Sequence, residues 1–310
     1  MSAGVEQVSP VWAVVAAIAV LAAAFAGAAV DGALQARPGA RRAGMLAPVA
    51  EGARLLRQRR RTLVAADTLL WRVGVAGLPV VAVLMAAVLP FGRWVISDLP
   101  VGLVWFNAMD VMLWALVWMA GWGPNAAYPL VGGYRFLALA LAYELPLMFA
   151  LTAPAVAAGS LRMADIVAGQ DGLWYVVWMP VAFLVFCASV LAFSLHRPFD
   201  APLARDLAGG VLAEASGVDR LLLLAGRHAL LAVGSGFAVA LFLGGGSGPL
   251  LPAWVWFLAK TLLLQSVLLV VRRHLPSVRP QALMAAAWAV ALPATLLQVA
   301  GVAVVVVARG

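Results

Sequence analysis

The sequence predicts an all-α, polytopic integral membrane protein of about eight transmembrane helices, with a short amphipathic helix in its first cytoplasmic loop. Three observations predict it. The chain is 65% hydrophobic and only 11% charged over its 310 residues, with a mean hydropathy of +1.01, whereas a water-soluble domain is usually about 25% charged. The apolar residues fall in runs of about 20, the length that crosses a bilayer as a helix. The charges gather in alternate loops.

In order, the apolar runs cover 11–34, 69–92, 101–121, 134–159, 173–195, 220–244, 253–271 and 281–308. The opening stretch MSAGVEQVSP lacks the basic start of a signal peptide, so 11–34 reads as a retained span. Pro79, Pro146, Pro180 and Pro293 fall inside spans, where neighbouring helices satisfy freed carbonyls. Gly209-Gly210 and Gly244-Gly245-Gly246 read as loop or helix-end punctuation. No internal repeat or linker separates a second domain, so residues 1–310 read as one membrane domain.

Charge placement gives the orientation. Of 21 basic residues, nine lie between 37 and 72, from Arg37 through Arg54 to Arg72. Seven more (Arg135, Arg197, Arg205, Arg220, Arg272, Arg273 and Arg279) fall on the same side. The opposite side carries Arg93, Arg162 and Arg309. By the positive-inside rule the Arg-rich loops are cytoplasmic and both termini are outside. This asymmetry, with anionic-lipid contact, accounts for the net charge of +8 better than nucleic acid does. Within 45–58, Leu46, Val49, Ala53 and Leu56 recur at helical spacing, with Glu51, Arg54 and Arg57 between them. That pattern fits a helix lying on the membrane or covering a partner.

The single cysteine, Cys187, and the scattered His196, His228 and His274 form no metal-binding or cofactor motif. Polar residues inside spans are expensive, at least about 2.5–3.5 kcal/mol for a charge at the bilayer centre. Four need a reason. Glu144 lies about ten residues into the fourth span; it reads either as a proton carrier or as the partner of a buried cation, Lys260 being the candidate. Lys260, in the seventh span, is too far from the span end to snorkel comfortably, and reads as a relay group or a structural partner. Asp110, one turn after Asn107, reads as a polar helix–helix contact. Arg227, beside His228, reads as structural. Asp31 reads as interfacial. The loop 196–219 holds Asp200, Asp206, Glu214 and Asp219 with Arg205, and topology alone does not call for those acids.

These residues resemble a known family in colinear order over nearly the whole chain. Gln35, Arg37, Gly39, Arg41 and Gly44, then Pro48 through Arg54, are similar to the first cytoplasmic loop of the complex I subunit 1 family, the H subunit of NADH-quinone oxidoreductase. So are Ser97–Gly102, Gly121-Trp122 with Asn125, Leu130–Arg135, Tyr143–Leu147, Pro198–Pro202, Glu214–Gly217, Lys260-Thr261, and Arg272–Arg279 with Leu275 and Pro276.

The resemblance implies a non-autonomous subunit of a proton-translocating NADH (or other donor):quinone oxidoreductase in the cell inner membrane. It implies quinone (ubiquinone or menaquinone) as substrate, with no metal or flavin on this chain. It implies iron–sulfur and quinone-site peripheral subunits, small membrane subunits and antiporter-like subunits as partners. By position, Arg37, Glu51 and Arg54 would lie at the mouth of a quinone chamber. Arg135, Glu144, Asp200, Asp206 and Glu214 would line a proton-coupling route.

The chain departs from the family where Gly27, with Asp31 a turn later, replaces a first-span glutamate. It departs again where Pro202–Asp206 loses most of a carboxylate run and where Gly226-Arg227-His228 replaces a glutamate-bearing stretch. These changes mark a divergent copy. The membrane subunit of an energy-converting hydrogenase or ferredoxin-linked complex is the alternative, and an unrelated permease a weaker one.

Overall fold

A computed structural model describes residues 5–37 and 39–309, the side chain of Arg309 excepted. The expectations for Met1 to Gly4 and for the Arg309 side chain fall outside those residues. The elements run β1 (Glu6–Gln7), α1 (Trp12–Gln35), α2 (Arg41–Arg57), α3 (Thr68–Ala86), β2 (Trp94–Val95), α4 (Gly102–Trp122), α5 (Ala127–Ala158), α6 (Met163–Ala168), α7 (Tyr175–Trp178), α8 (Pro180–Phe193), α9 (Gly217–Phe242), α10 (Ala253–His274), α11 (Pro280–Ala286), a wide π-turn (Ala287–Ala291) and α12 (Leu292–Arg309). Among the described residues, seven helices are long and apolar enough to cross a membrane, counting Pro280–Ala308 as one. The chain is a multi-pass, all-helical membrane protein, its strands β1 and β2 forming one two-residue parallel pair.

The fifth predicted span, 173–195, is a broken one. Pro180, expected inside a helix, instead starts α8 after the short α7, because proline lacks an N–H and suits a first helical turn. Pro293 is accommodated differently. The π-turn precedes it in the same rod, which loosens the backbone where the ring would crowd the carbonyl four residues back. At 32 residues, α5 is about 48 Å long, so it extends well beyond the expected 134–159.

Burial orders the bundle. α9 is the central helix, 72% of its apolar window being buried, while α1 at 17% and the last helix at 11% lie outermost. An aromatic cluster fills the core toward one membrane face: Phe106 of α4 meets Phe237 of α9 at 4.2 Å and Phe193 of α8 at 6.2 Å, and Phe186 meets Phe242 at 5.9 Å. Close helix contacts rest on small residues. A Cβ on Gly74 of α3 would lie 2.4 Å from the Ala120 nitrogen of α4. Gly74→Val is therefore expected to lower thermal stability by about 1–3 kcal/mol or more; a melting temperature equal to that of the unaltered chain would show that α3 and α4 can part without loss.

Helix alternation separates two loop faces. One gathers the segments 36–67, 123–126, 194–216 and 275–279, and is tied by Arg61 to Glu214 and by the Val278 N–H to the Pro198 carbonyl. The other gathers the strand pair, the α5–α8 connection and the α9–α10 loop, and is tied by Arg162 to Asp98 and by the Gly244 N–H to Gln170. Among the described residues, the arginines of 36–67 and 194–216 lie on the first face and Arg93 and Arg162 on the second.

The amphipathic helix predicted for 45–58 is α2, which begins earlier. It lies along α1 at a close approach, where a Cβ on Gly44 would sit 2.4 Å from the Gly32 carbonyl. Leu55 is buried beneath it, while Leu46, Val49 and Leu56 are exposed. The apolar stripe thus points away from the bundle, free for lipid or another protein.

Candidate functional site

Two carboxyl groups meet inside the bundle. Asp110 is fully buried and Glu144 nearly so. Asn107 and Asp110 lie three residues apart and share one face of α4, which faces Tyr143 and Glu144 on α5. The Asn107 amide donates to Glu144 Oε1 at 3.2 Å, and the Tyr143 hydroxyl donates to Asp110 Oδ1 at 3.3 Å. The Asp110 carboxyl also faces that of Glu144. The remaining oxygens, Asp110 Oδ2 and Glu144 Oε2, are buried with no hydrogen-bond partner among the described residues. No cation opposes the pair there. Asp110 is a polar helix–helix contact, as expected, and in addition the neighbour of Glu144. Sequence reasoning missed that pairing and Tyr143, because α4–α5 register is not written in either helix alone.

Lys260 is not the partner of Glu144. Its Nζ donates to the carbonyls of Leu243, Gly245 and Ser247 at 2.7, 3.2 and 2.8 Å and lies 4.1 Å from the centre of the Trp174 ring. It does reach the end of the bundle, contrary to expectation. These carbonyls lie at the cap of α9 and in the α9–α10 loop beyond it, and the ammonium, two turns into α10, supplies their shared donor.

A second polar cluster lies toward the Arg-rich face, between α1, α9 and α10. Asp31, one turn from the end of α1 as expected, is buried there: it pairs with Arg272 in the last turn of α10 and accepts from Gln35 at 2.8 Å. Arg227 donates to the Leu195 carbonyl, the structural role expected of it. The rings of His196 and His228 meet edge to face at 5.3 Å. One turn before Asp31, Gly27 leaves room for the Gln265 side chain, which would lie 2.0 Å from a Cβ there. Thus α10 supplies a neutral amide where α1 has no side chain.

The loop acids are each held by an arginine. Asp206 forms a two-pronged pair with Arg135, at 2.7 and 3.1 Å, Arg135 also reaching the Ala201 carbonyl. Asp200 pairs with Arg197 at 3.3 Å, Glu214 with Arg61 at 2.6 Å and Asp219 with Arg60 at 3.4 Å. None of these acids bonds to Glu144 or Asp110 among the described residues. On α2, Arg54 pairs with Glu51 at 2.6 Å and its hydrogen bonds hold that carboxyl below the usual range. Arg37 precedes α2, exposed and without an ion pair among the described residues. No group of three potential metal ligands forms among the described residues.

The Arg135 hydrogen bond likewise holds the Asp206 carboxyl below its usual 3.8. A depressed folded-state value means that the pair's contribution is full above 3.8 and is lost as pH falls through the lowered value. A thiol introduced at Ala208 is expected to label at a constant rate above pH 4 and faster below it. Arg135→Ala would remove that step; a step that persists in the variant would place its origin elsewhere.

The sequence model of the family described as NADH dehydrogenase matches residues 8–303. The chain belongs to that family. Among its relatives, the H subunit of NADH-quinone oxidoreductase numbered 2 in Geobacter sulfurreducens is 38% identical over 267 residues, which cover 83% of this chain and 81% of that protein. The H subunit numbered 1 in Geobacter metallireducens is 36% identical over 267 residues, covering 83% and 81%. The H subunit numbered 2 in Syntrophobacter fumaroxidans is 34% identical over 280 residues, covering 86% and 85%. The residues matched to the NADH dehydrogenase family include Tyr143–Pro146, and that stretch carries Glu144, half of the buried carboxyl pair.

Proposed function

We propose that this chain is the H-type membrane subunit of a quinone-reducing respiratory complex and works in proton coupling through Asp110 and Glu144. The observation that carries the reading is that buried carboxyl pair, in a chain whose relatives are named as H subunits of NADH-quinone oxidoreductase. Two facing carboxyls without a cation hold a proton between them, since two negative charges side by side in a dry interior repel strongly. Such a pair can take up and release a proton as its surroundings change.

On this reading the chain is one membrane domain of the cell inner membrane, its Arg-rich face cytoplasmic. Quinone is the substrate of the assembled complex, and the chain alone has no activity. Exposed Arg37, the Glu51–Arg54 pair and the outward stripe of α2 sit at the membrane wall of the quinone chamber. The arginine-held acids Asp200, Asp206 and Glu214, with Arg135, order the loop between that chamber and Glu144. Iron–sulfur and quinone-site subunits dock on the Arg-rich face, and small and antiporter-like membrane subunits lie alongside.

Purification of the tagged chain from its own host in mild detergent, with mass spectrometry of what comes along, tests this. Iron–sulfur, quinone-site and antiporter-like subunits together are the expected result, and the peripheral subunits present name the electron donor. A nickel-ligating protein in their place would move the chain to a hydrogenase-type complex. A chain that purifies alone would overturn the reading.

A further inference from the structure

On the face opposite the Arg-rich loops, a groove opens along the outside of the bundle. About 190 Å³ of open space lies between Trp12, Ala16 and Val20 of α1, Phe91 in the turn before β2, and Phe257 and Thr261 of α10. From Trp12 to Val20 it runs eight residues along α1, about 12 Å at 1.5 Å per residue. Its walls are almost wholly apolar, Thr261 bonding its own helix at the Phe257 carbonyl. A hydrocarbon chain fits such a slot; a whole helix, about 10 Å across with its side chains, does not.

An exposed cation lies in the segment that borders the groove. Arg93 is exposed and has no carboxylate partner among the described residues. It lies between Phe91 and Trp94, both of which line the groove. Arg162, on the same face, is occupied by Asp98 at 2.7 Å. The Glu6 N–H donates to the Arg93 carbonyl at 2.7 Å, so the backbones of these two exposed residues run side by side. Trp12 and Trp94 sit at the same level, the depth at which tryptophan marks a membrane–water boundary.

We propose that this groove binds one phospholipid, an acyl chain lying between α1 and α10 and the phosphate resting on Arg93. A guanidinium is well suited to a phosphate. With Glu6 adjacent, a headgroup that carries an ammonium beside its phosphate meets both charges, so phosphatidylethanolamine is the probe of choice. The site is independent of the carboxyl pair and of any electron donor.

The test uses the full chain, purified in mild detergent, delipidated and titrated with phosphatidylethanolamine, with bound lipid counted by native mass spectrometry. One tightly held lipid per chain is expected. Ala16→Phe, which fills the groove, is expected to abolish it. Arg93→Gln, at an exposed position that folding does not need, is expected to weaken phosphatidylethanolamine about tenfold, the equivalent of about 1.4 kcal/mol, and to leave a diacylglycerol of the same chains unaffected. Equal lipid retention in all three proteins would overturn the proposal. So would a thiol placed by Ala19→Cys that cross-links to a neighbouring protein in the native membrane, since the groove would then be a protein contact.

Discussion

Glu144→Gln is expected to lower proton-coupled quinone reduction by about 10²-fold or more, the usual size of a lost proton-transfer group, while the complex still assembles. The change is nearly isosteric. The Gln carbonyl can still accept from Asn107, which bonds Glu144 Oε1 at 3.2 Å, so α4 and α5 keep their register. What is lost is the ability to take and release a proton. Asp110→Asn should have a similar effect, and the double variant should fall little below either single one, because the two groups act as a unit. Coupled turnover and subunit content are measured on the same preparation. Unchanged turnover in an assembled Glu144→Gln complex would remove the pair from the coupling route; additive losses would separate Asp110 from Glu144.

Lys260→Met should destabilise the chain by about 2 kcal/mol or more, the cost of leaving partly buried carbonyls without a charged donor, with no direct effect on the carboxyl pair. Methionine keeps the length of the stem and removes the ammonium. Three carbonyls then lose their shared donor, and the Trp174 ring loses the cation above it. Lys260→Arg should not restore the loss, because the three oxygens converge on a point and a planar guanidinium presents a fork. Thermal unfolding in detergent, followed by tryptophan fluorescence, reads the change. A melting temperature unaltered in Lys260→Met would mean that water replaces the ammonium at no loss.

The spans and their alternation were legible because lipid imposes one rule on every segment: long apolar runs must be helical and charges must collect at their ends. Thus all of the predicted spans have helical counterparts, and α2 lies where its apolar spacing predicts. What could not be read was register between helices. Glu144 and Lys260 look like partners from composition, being an acid and a base in neighbouring stretches of lipid. The fold instead places Lys260 over the carbonyl end of α9 and Glu144 against α4, and no periodicity within a helix distinguishes those outcomes. Pro180 was misplaced for a related reason, since proline inside an apolar run suits either a kinked helix or a helix start. The depth of Asp31 was legible but its partner was not, since Arg272 lies 241 residues away in sequence.

The aromatic cluster of Phe106, Phe193, Phe237 and Phe242 has an electrical consequence. The buried carboxyls Asp31, Asp110 and Glu144 lie at mid-depth or toward the Arg-rich face, whereas on the other side Phe106 and Phe237 pack ring against ring and Lys260 is tied to the α9–α10 loop. A membrane potential exerts about 2.3 kcal/mol per charge per 100 mV, and it drops mainly across whatever excludes water and ions. On the proposed coupling role, that insulator would be the phenylalanine layer. A proton arriving at Glu144 would then return the way it came or pass sideways into an adjoining protein, and the chain would behave as a one-sided well for charge and not as a pore.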